Sequence, residues 1–223
     1  MSTDADFLAW HGESPNEVNP WFGVSADGEF NVELAAGKVI VDMMKSRNDP
    51  RLQDYFSLDG KGQYKGASPG AEFDASVQSQ ISATRGAKAF RQPILTWAET
   101  RLIEAEAQYR TGHEREARGA LKVERAAVGL PPVGASRSDL LIEILQEKYI
   151  ALFQSPEVWN DYKRTCYPNL VPTSQAQGGN IPARHLYDER GVNPNIPADP
   201  TRNWNDPVTS FASDRTPCLG QRF

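Results

Sequence analysis

Gly66-Ala67-Ser68-Pro69-Gly70 has the G-x-S-x-G spacing of a nucleophilic serine. That chemistry requires a buried strand before the serine and a helix after it, so that a sharp turn exposes the hydroxyl. Here polar residues 61–65 precede the serine and Pro69 follows it, so the segment reads as a glycine-rich loop. His113-Glu114 opens like the H-E-x-x-H of a zinc protease, but Ala117 stands where the second histidine is required. The pair reads as a helix N-terminus. Glu104 and Glu106 have the right chemistry for glycoside cleavage, yet residues two apart on a helix point in different directions, and both read as solvent-facing charges. Neither G-x-x-x-x-G-K-[ST] nor G-x-G-x-x-G occurs. Cys166 and Cys218 have no C-x-x-C spacing and no nearby histidine pair, too few ligands for structural zinc. Two separate thiols are favoured over a disulfide between them. No catalytic residue, metal ligand or cofactor is assigned.

Binding is the alternative to catalysis, and five tryptophans are the side chains suited to it. An indole face stacks on apolar ring surfaces while its N–H remains free to donate. Trp97 and Trp159 fall in helical stretches and read as core. Trp10, Trp21 and Trp204 fall in loops and are the candidate ligand contacts.

These residues need elements to hold them. The 223 residues carry 24 basic and 29 acidic side chains, without the Lys/Arg excess that phosphate-backbone binding needs, so nucleic acid is not an expected partner. The longest strongly apolar stretches, such as 140–145, are far shorter than the roughly 20 residues of a membrane span. The start, MSTDADFLAW, lacks the basic, apolar and small-residue regions of an export signal.

Three regions follow along the chain. Residues 1–92 read as mixed helix and loop, with one helix from about Asn31 to Ser46 ended by Asn48-Asp49-Pro50. Residues 93–165 are helix pairs. Leu95, Ala98, Leu102, Ala105 and Tyr109 recur by 3, 4, 3 and 4, one stripe of a helix. Thr96 and Glu99 form a capping-box pattern at its start, and Gly112 ends it. A second helix runs from about Glu114 to Val128 with Ala117, Ala120, Leu121 and Val128 inward, and stops at Gly129. The unit from Leu95 through Val128 is 34 residues long, the period of a tetratricopeptide repeat. Ser138 caps a third helix through Phe153, whose apolar face is wider than a surface helix needs, and Val158, Trp159 and Tyr162 give a short fourth. Repeats usually need roughly three or more units to bury their faces. With two, either the rest of the chain wraps around them or further helices lie in other sequence. Residues 166–223 hold eight prolines and read as an extended, irregular tail tacked down by aromatic anchors.

Particular strings then carry a resemblance. Pro93-Ile94-Leu95-Thr96-Trp97-Ala98-Glu99 with residues 101–107, Glu147-Lys148-Tyr149-Ile150-Ala151-Leu152-Phe153, Val158-Trp159-Asn160-Asp161-Tyr162-Lys163-Arg164-Thr165, and Ile181-Pro182-Ala183-Arg184 with Tyr187 resemble, in order, segments of the SusD/RagB family. Asn19-Pro20-Trp21-Phe22 and Asn48-Asp49-Pro50-Arg51-Leu52 are similar to its upstream segments. The resemblance implies an all-α fold of tetratricopeptide-like hairpins in a SusD-like superhelix, with long irregular loops and an extended C-terminal segment, here one partial domain over 1–223. It also implies a non-catalytic nutrient-binding lipoprotein of the outer-membrane surface that passes oligosaccharide to a SusC-like TonB-dependent transporter. In that reading membrane attachment is through a lipid anchor lying outside this chain, which corresponds to a C-terminal fragment. Trp97, Glu99, Trp159, Asp161, Arg164, Arg184 and Tyr187 are then structural motif residues, with Arg164 and Arg184 tying the tail to helix ends. The alternative is a soluble tetratricopeptide-type adaptor that binds protein.

Overall fold

The Thr96 side chain accepts the backbone N–H of Glu99 at 3.0 Å, which starts the first long helix as the capping pattern requires. The structure is a computed structural model, and it describes residues 6–26, 34–134, 136–172 and 181. In order the elements are β1 (Phe7–Ala9), α1 (Pro20–Ala26), α2 (Lys38–Ser46), α3 (Leu52–Tyr55), β2 (Gln92–Leu95), α4 (Trp97–Arg110), α5 (Glu114–Ala127), α6 (Arg137–Ala151) and α7 (Glu157–Thr165). The chain divides into two units, residues 1–158 and 159–223. The fold is mainly helical, as expected, and no described helix is long and apolar enough to cross a membrane.

Helices α2, α4 and α5 end in the same way. Asn48, Gly112 and Gly129 each take a positive φ just past the last turn. The next N–H then reaches back: Asp49 to the Met44 carbonyl, His113 to Gln108 and Leu130 to Arg125, at 2.7 to 2.9 Å. These bonds satisfy carbonyls that would otherwise be orphaned and turn the chain sharply enough for a hairpin.

Helices α4, α5 and α6 pack through Leu102, Ala105, Ala117, Ala120, Leu121, Leu140 and Ile144. The alanines allow close approach, and the leucines fill what remains. The breadth of the α6 face is explained by a second cluster. Its Ile150 is buried with Ala36, Ile40, Val41, Met44, Tyr55 and Phe56, while Tyr149 and Phe153 pack at the edge. Residues 34–56 therefore cover the side of α6 that the hairpin leaves open, so part of the chain does wrap around the helix pairs.

The sequence reading differs from the structure at several points. Helix α2 begins at Lys38, because Ala35 and Gly37 bridge to Gln80 and Ala67 and the backbone there is committed to its neighbours. Gly66 makes this possible: a Cβ on it would lie 2.4 Å from the Lys38 Cα. Leu95 is not on the α4 stripe but in β2, paired with Phe7 and 61% exposed. Strand β1 and helices α1 and α3 lie where loop was expected, and β2 overlaps the start of the expected helix pairs, since each is short and held by tertiary contacts rather than by periodicity. Helix α6 starts after Ser136 rather than Ser138. Glu106 is buried and paired with Arg110 and Lys148, not solvent-facing. The Gly66–Gly70 segment is loop, with Ala67 N–H donating to the Ala36 carbonyl. Cys166 is disulfide-bonded, against the expectation of separate thiols, and the other cysteine, Cys218, lies outside the described residues.

Leu102→Ala should lower stability by about 2 to 5 kcal/mol, the cost of a cavity at a fully buried leucine. Leu95→Ala should stay within about 0.5 kcal/mol. Urea unfolding of both variants checks the pair, and equal losses would restore Leu95 to the core.

Candidate functional site

Asn19 and Pro20 start α1 in the manner their chemistry favours. The buried Asn19 side chain accepts the Trp21 N–H at 2.8 Å and donates to the Phe90 carbonyl at 2.8 Å, and its own N–H donates to the Lys88 carbonyl. This fixes the segment 88–91 beside the start of α1. From that segment the Lys88 ammonium lies 5.3 Å from the Phe22 ring centre, and the Arg91 guanidinium lies 4.0 Å over the Trp10 ring. Trp10 itself is 74% exposed. An exposed indole held in place by a cation over its ring is a flat platform on which an apolar sugar face can stack, with guanidinium N–H groups at hand for hydroxyls. Phe7, paired with Leu95 on the adjoining ribbon, is also exposed.

Beneath the surface the decisive polar feature is a cluster around Glu147, which is wholly buried on α6. Arg47, at the end of α2, and Arg51, just before α3, both pair with its carboxylate. Arg125 of α5 joins them at 3.0 Å and donates to the Pro131 carbonyl at 2.7 Å. Arg51 also makes a two-pronged contact with Asp49, at 2.7 and 2.9 Å. This is the geometry in which a guanidinium best matches a carboxylate. The arrangement is a structural clasp that ties the α2–α3 turn to α5 and α6. Among the described residues no group of His, Cys, Asp and Glu is placed to hold a metal ion.

With that geometry in hand, comparison with known proteins is decisive. The sequence profile of the SusD-like family, described as starch-binding and associating with the outer membrane, matches residues 1–120. The chain belongs to the SusD-like family. Solved structures agree in fold. A chitin-binding protein is 21% identical with a TM-score of 0.59, the match covering 84% of this chain and 49% of that one. A SusD homologue from Bacteroides vulgatus is 20% identical with a TM-score of 0.63, covering 81% of this chain and 46% of that one. A SusD-like protein of Bacteroidetes is 14% identical with a TM-score of 0.66, covering 85% of this chain and 57% of that one. This SusD-like chain thus spans about half the length of the solved structures it matches. No curated protein sequence matches it.

The residues singled out in the SusD-like sequence are placed unevenly. Trp10 is exposed. Trp21 is half-buried and lies in α1 rather than a loop, and Trp204 lies outside the described residues. Trp97 and Trp159 are half-buried rather than core; Trp97 opens α4, its backbone N–H donating to the Asp6 carboxylate at 2.8 Å, and the Trp159 ring centre lies 6.1 Å from that of Tyr162. Glu99 is buried in the first turn of α4. Asp161 pairs with Arg164 within α7 at 2.8 Å, while Arg184 and Tyr187 lie outside the described residues. The sequence reading missed Arg91 and the Glu147 clasp. A visible signal existed for the second: Glu147 falls among Leu145, Tyr149 and Ile150 on a face too apolar for an unpaired charge.

Charge bookkeeping in the clasp sets its pH response. Burial alone would lower the Arg51 pKa, but Asp49 and Glu147 hold it above its ordinary value. Burial alone would raise Asp49, but Arg51 holds it below the ordinary range. Glu124 goes the other way. Burial, then repulsion from Glu147, pushes its carboxyl up to about 7. A carboxyl whose pKa is raised on folding holds its proton more tightly in the native state, and so contributes stability while it is protonated. That benefit is full below the unfolded value and disappears as pH rises through about 7.

Glu147→Gln should destabilise by about 3 to 5 kcal/mol, because it leaves buried guanidinium groups uncompensated. An unchanged urea midpoint would refute the clasp. Glu124→Gln should gain on the parent by on the order of 3 kcal/mol between pH 5 and pH 8, measured as the difference of their unfolding free energies at each pH. A pH-independent difference would show that Glu124 does not titrate in this window.

Proposed function

We propose that this chain is part of a non-catalytic glycan-binding protein of the outer-membrane surface. The single observation that carries the reading is membership of a family described as starch-binding and associating with the outer membrane. The exposed Trp10 ring with Arg91 over it supplies the chemistry, since stacking and guanidinium donors serve a polyhydroxyl ligand without any reaction step. Oligosaccharide is the ligand class, and Trp10 and Trp21 are the ligand-side aromatics of the described residues. Delivery to a SusC-like TonB-dependent transporter is the corresponding physiological role.

The test is a titration of the purified chain with starch- and chitin-derived oligosaccharides, followed calorimetrically. Saturable binding is expected, weakened about tenfold in Trp10→Ala, equivalent to ~1.4 kcal/mol. Unfolding should be unaffected, because the ring is exposed. Absence of binding to every glycan would remove the reading. Intact affinity in Trp10→Ala would move the ligand elsewhere.

A further inference from the structure

Helices α4 and α5 form a hairpin, and each carries a buried polar atom that nothing satisfies. Glu124, near the end of α5, is 1% exposed, and its Oε2 has no hydrogen-bond partner among the described residues. Arg101, in the second turn of α4, is satisfied on one side only. Its Nη1 donates outward to the half-exposed Glu104 at 2.6 Å, while its Nε is buried and unpartnered among the described residues. A desolvated acceptor and a desolvated donor on adjoining helices are two penalties that one hydrogen bond would remove.

The charges around Glu124 explain why that bond is not made while the carboxyl is neutral. Glu147 on α6 and Asp6 in β1 oppose its ionisation, and Arg51 before α3 and Arg101 on α4 favour it. Glu99 of α4 and Arg85 line the same cavity as Glu124. Burial, then repulsion from Glu147, keeps the proton on Glu124 up to about 7. A neutral carboxyl gains little from a guanidinium, whereas an ionised one gains a charge-assisted bond of roughly twice the strength. Of the cations nearby, two are already committed. Arg51 gives Nε and a terminal nitrogen to Asp49 and Glu147, and Arg85 pairs with Asp54 and lies 4.0 Å over the Tyr55 ring. Arg101 is held by a half-exposed carboxylate within its own helix, a weak hold.

We propose that Glu124 is a proton-operated latch in the α4–α5 hairpin: with its proton it stays unpaired, and on releasing the proton to solvent its Oε2 accepts from Arg101 Nε, drawing the guanidinium off Glu104. The exchange has structural reach. The Arg101 guanidinium lies 5.8 Å from the Trp97 ring centre, and the Trp97 backbone N–H donates to the Asp6 carboxylate at the head of β1. A change of partner at Arg101 therefore alters the surroundings of the residue that joins α4 to the β1–β2 ribbon. The latch is independent of the Trp10 surface and of any ligand.

The experiment follows the purified chain by nuclear magnetic resonance from about pH 5 to about pH 9, reading the Glu124 carboxyl carbon and the Arg101 Nε–H together. Both signals should move with one shared midpoint near 7, the Nε–H shifting downfield as the bond forms. Glu104→Gln, at a half-exposed position, releases Arg101 and should lower that midpoint. Arg101→Gln removes the donor and should raise it by about one pH unit, a tenfold weaker acid. An Arg101 Nε–H that stays still while Glu124 titrates would overturn the latch. So would a Glu124 midpoint near the ordinary value of about 4.3, or one that neither substitution moves. Should Arg101→Gln fail to fold, the Nε–H of the parent and the midpoint of Glu104→Gln decide the matter.

Discussion

Three guanidinium groups converge on the buried Glu147 carboxylate, and the arrangement of the first unit depends on that meeting. Arg47 and Arg51 come from the turn around α2 and α3, Arg125 from α5, and Glu147 from α6. Two apolar clusters, one on each side of α6, are thereby held in register. Apolar contact alone is tolerant of sliding, because burying a methyl group a few ångströms away recovers most of the same free energy. A buried charge is not tolerant. Desolvating it costs several kcal/mol, offset only when its partners sit in good geometry, so an arrangement that misplaces any one of these groups is penalised. The clasp contributes specificity of arrangement more than net stability.

This division of labour leaves the surface around Trp10 without a structural duty in either apolar cluster. Trp10 and Arg91 are outside both clusters, so the platform can vary without disturbing what holds the helices. Membership of the SusD-like family then rests on the scaffold, while the proposed glycan contact uses side chains that the scaffold leaves exposed.

What was legible in the sequence follows the same split. The long helices were readable because Leu102, Ala105, Ala117 and Leu121 repeat at helical spacing, and because Thr96, Gly112 and Gly129 mark ends by local chemistry alone. Leu95 was misassigned because periodicity cannot distinguish the last residue of a strand from the first of a helix. The ribbon itself is too short to show alternation, and it forms only because residues 7 and 95 meet in space. Glu106 was read as solvated for a related reason: Lys148, which pairs with it from α6, is 42 positions away. The site was less legible than the fold. Trp10 stood out by residue type, but Arg91 became meaningful only through its position over the ring.

The Arg47–Glu147 pair joins positions 100 residues apart, and Arg51–Glu147 joins positions 96 apart. Closing loops of that length costs chain entropy before any contact repays it, which places the clasp late in the order of folding events. Segment 34–56 emerges from the ribosome well before α6 and can pair with it only afterwards. Until then its Ile40, Val41 and Met44 face lacks the partner that buries it. During synthesis the nascent chain therefore carries an adhesive stretch whose protection depends on residues still to be made, a window in which chaperone capture and misassembly compete with folding.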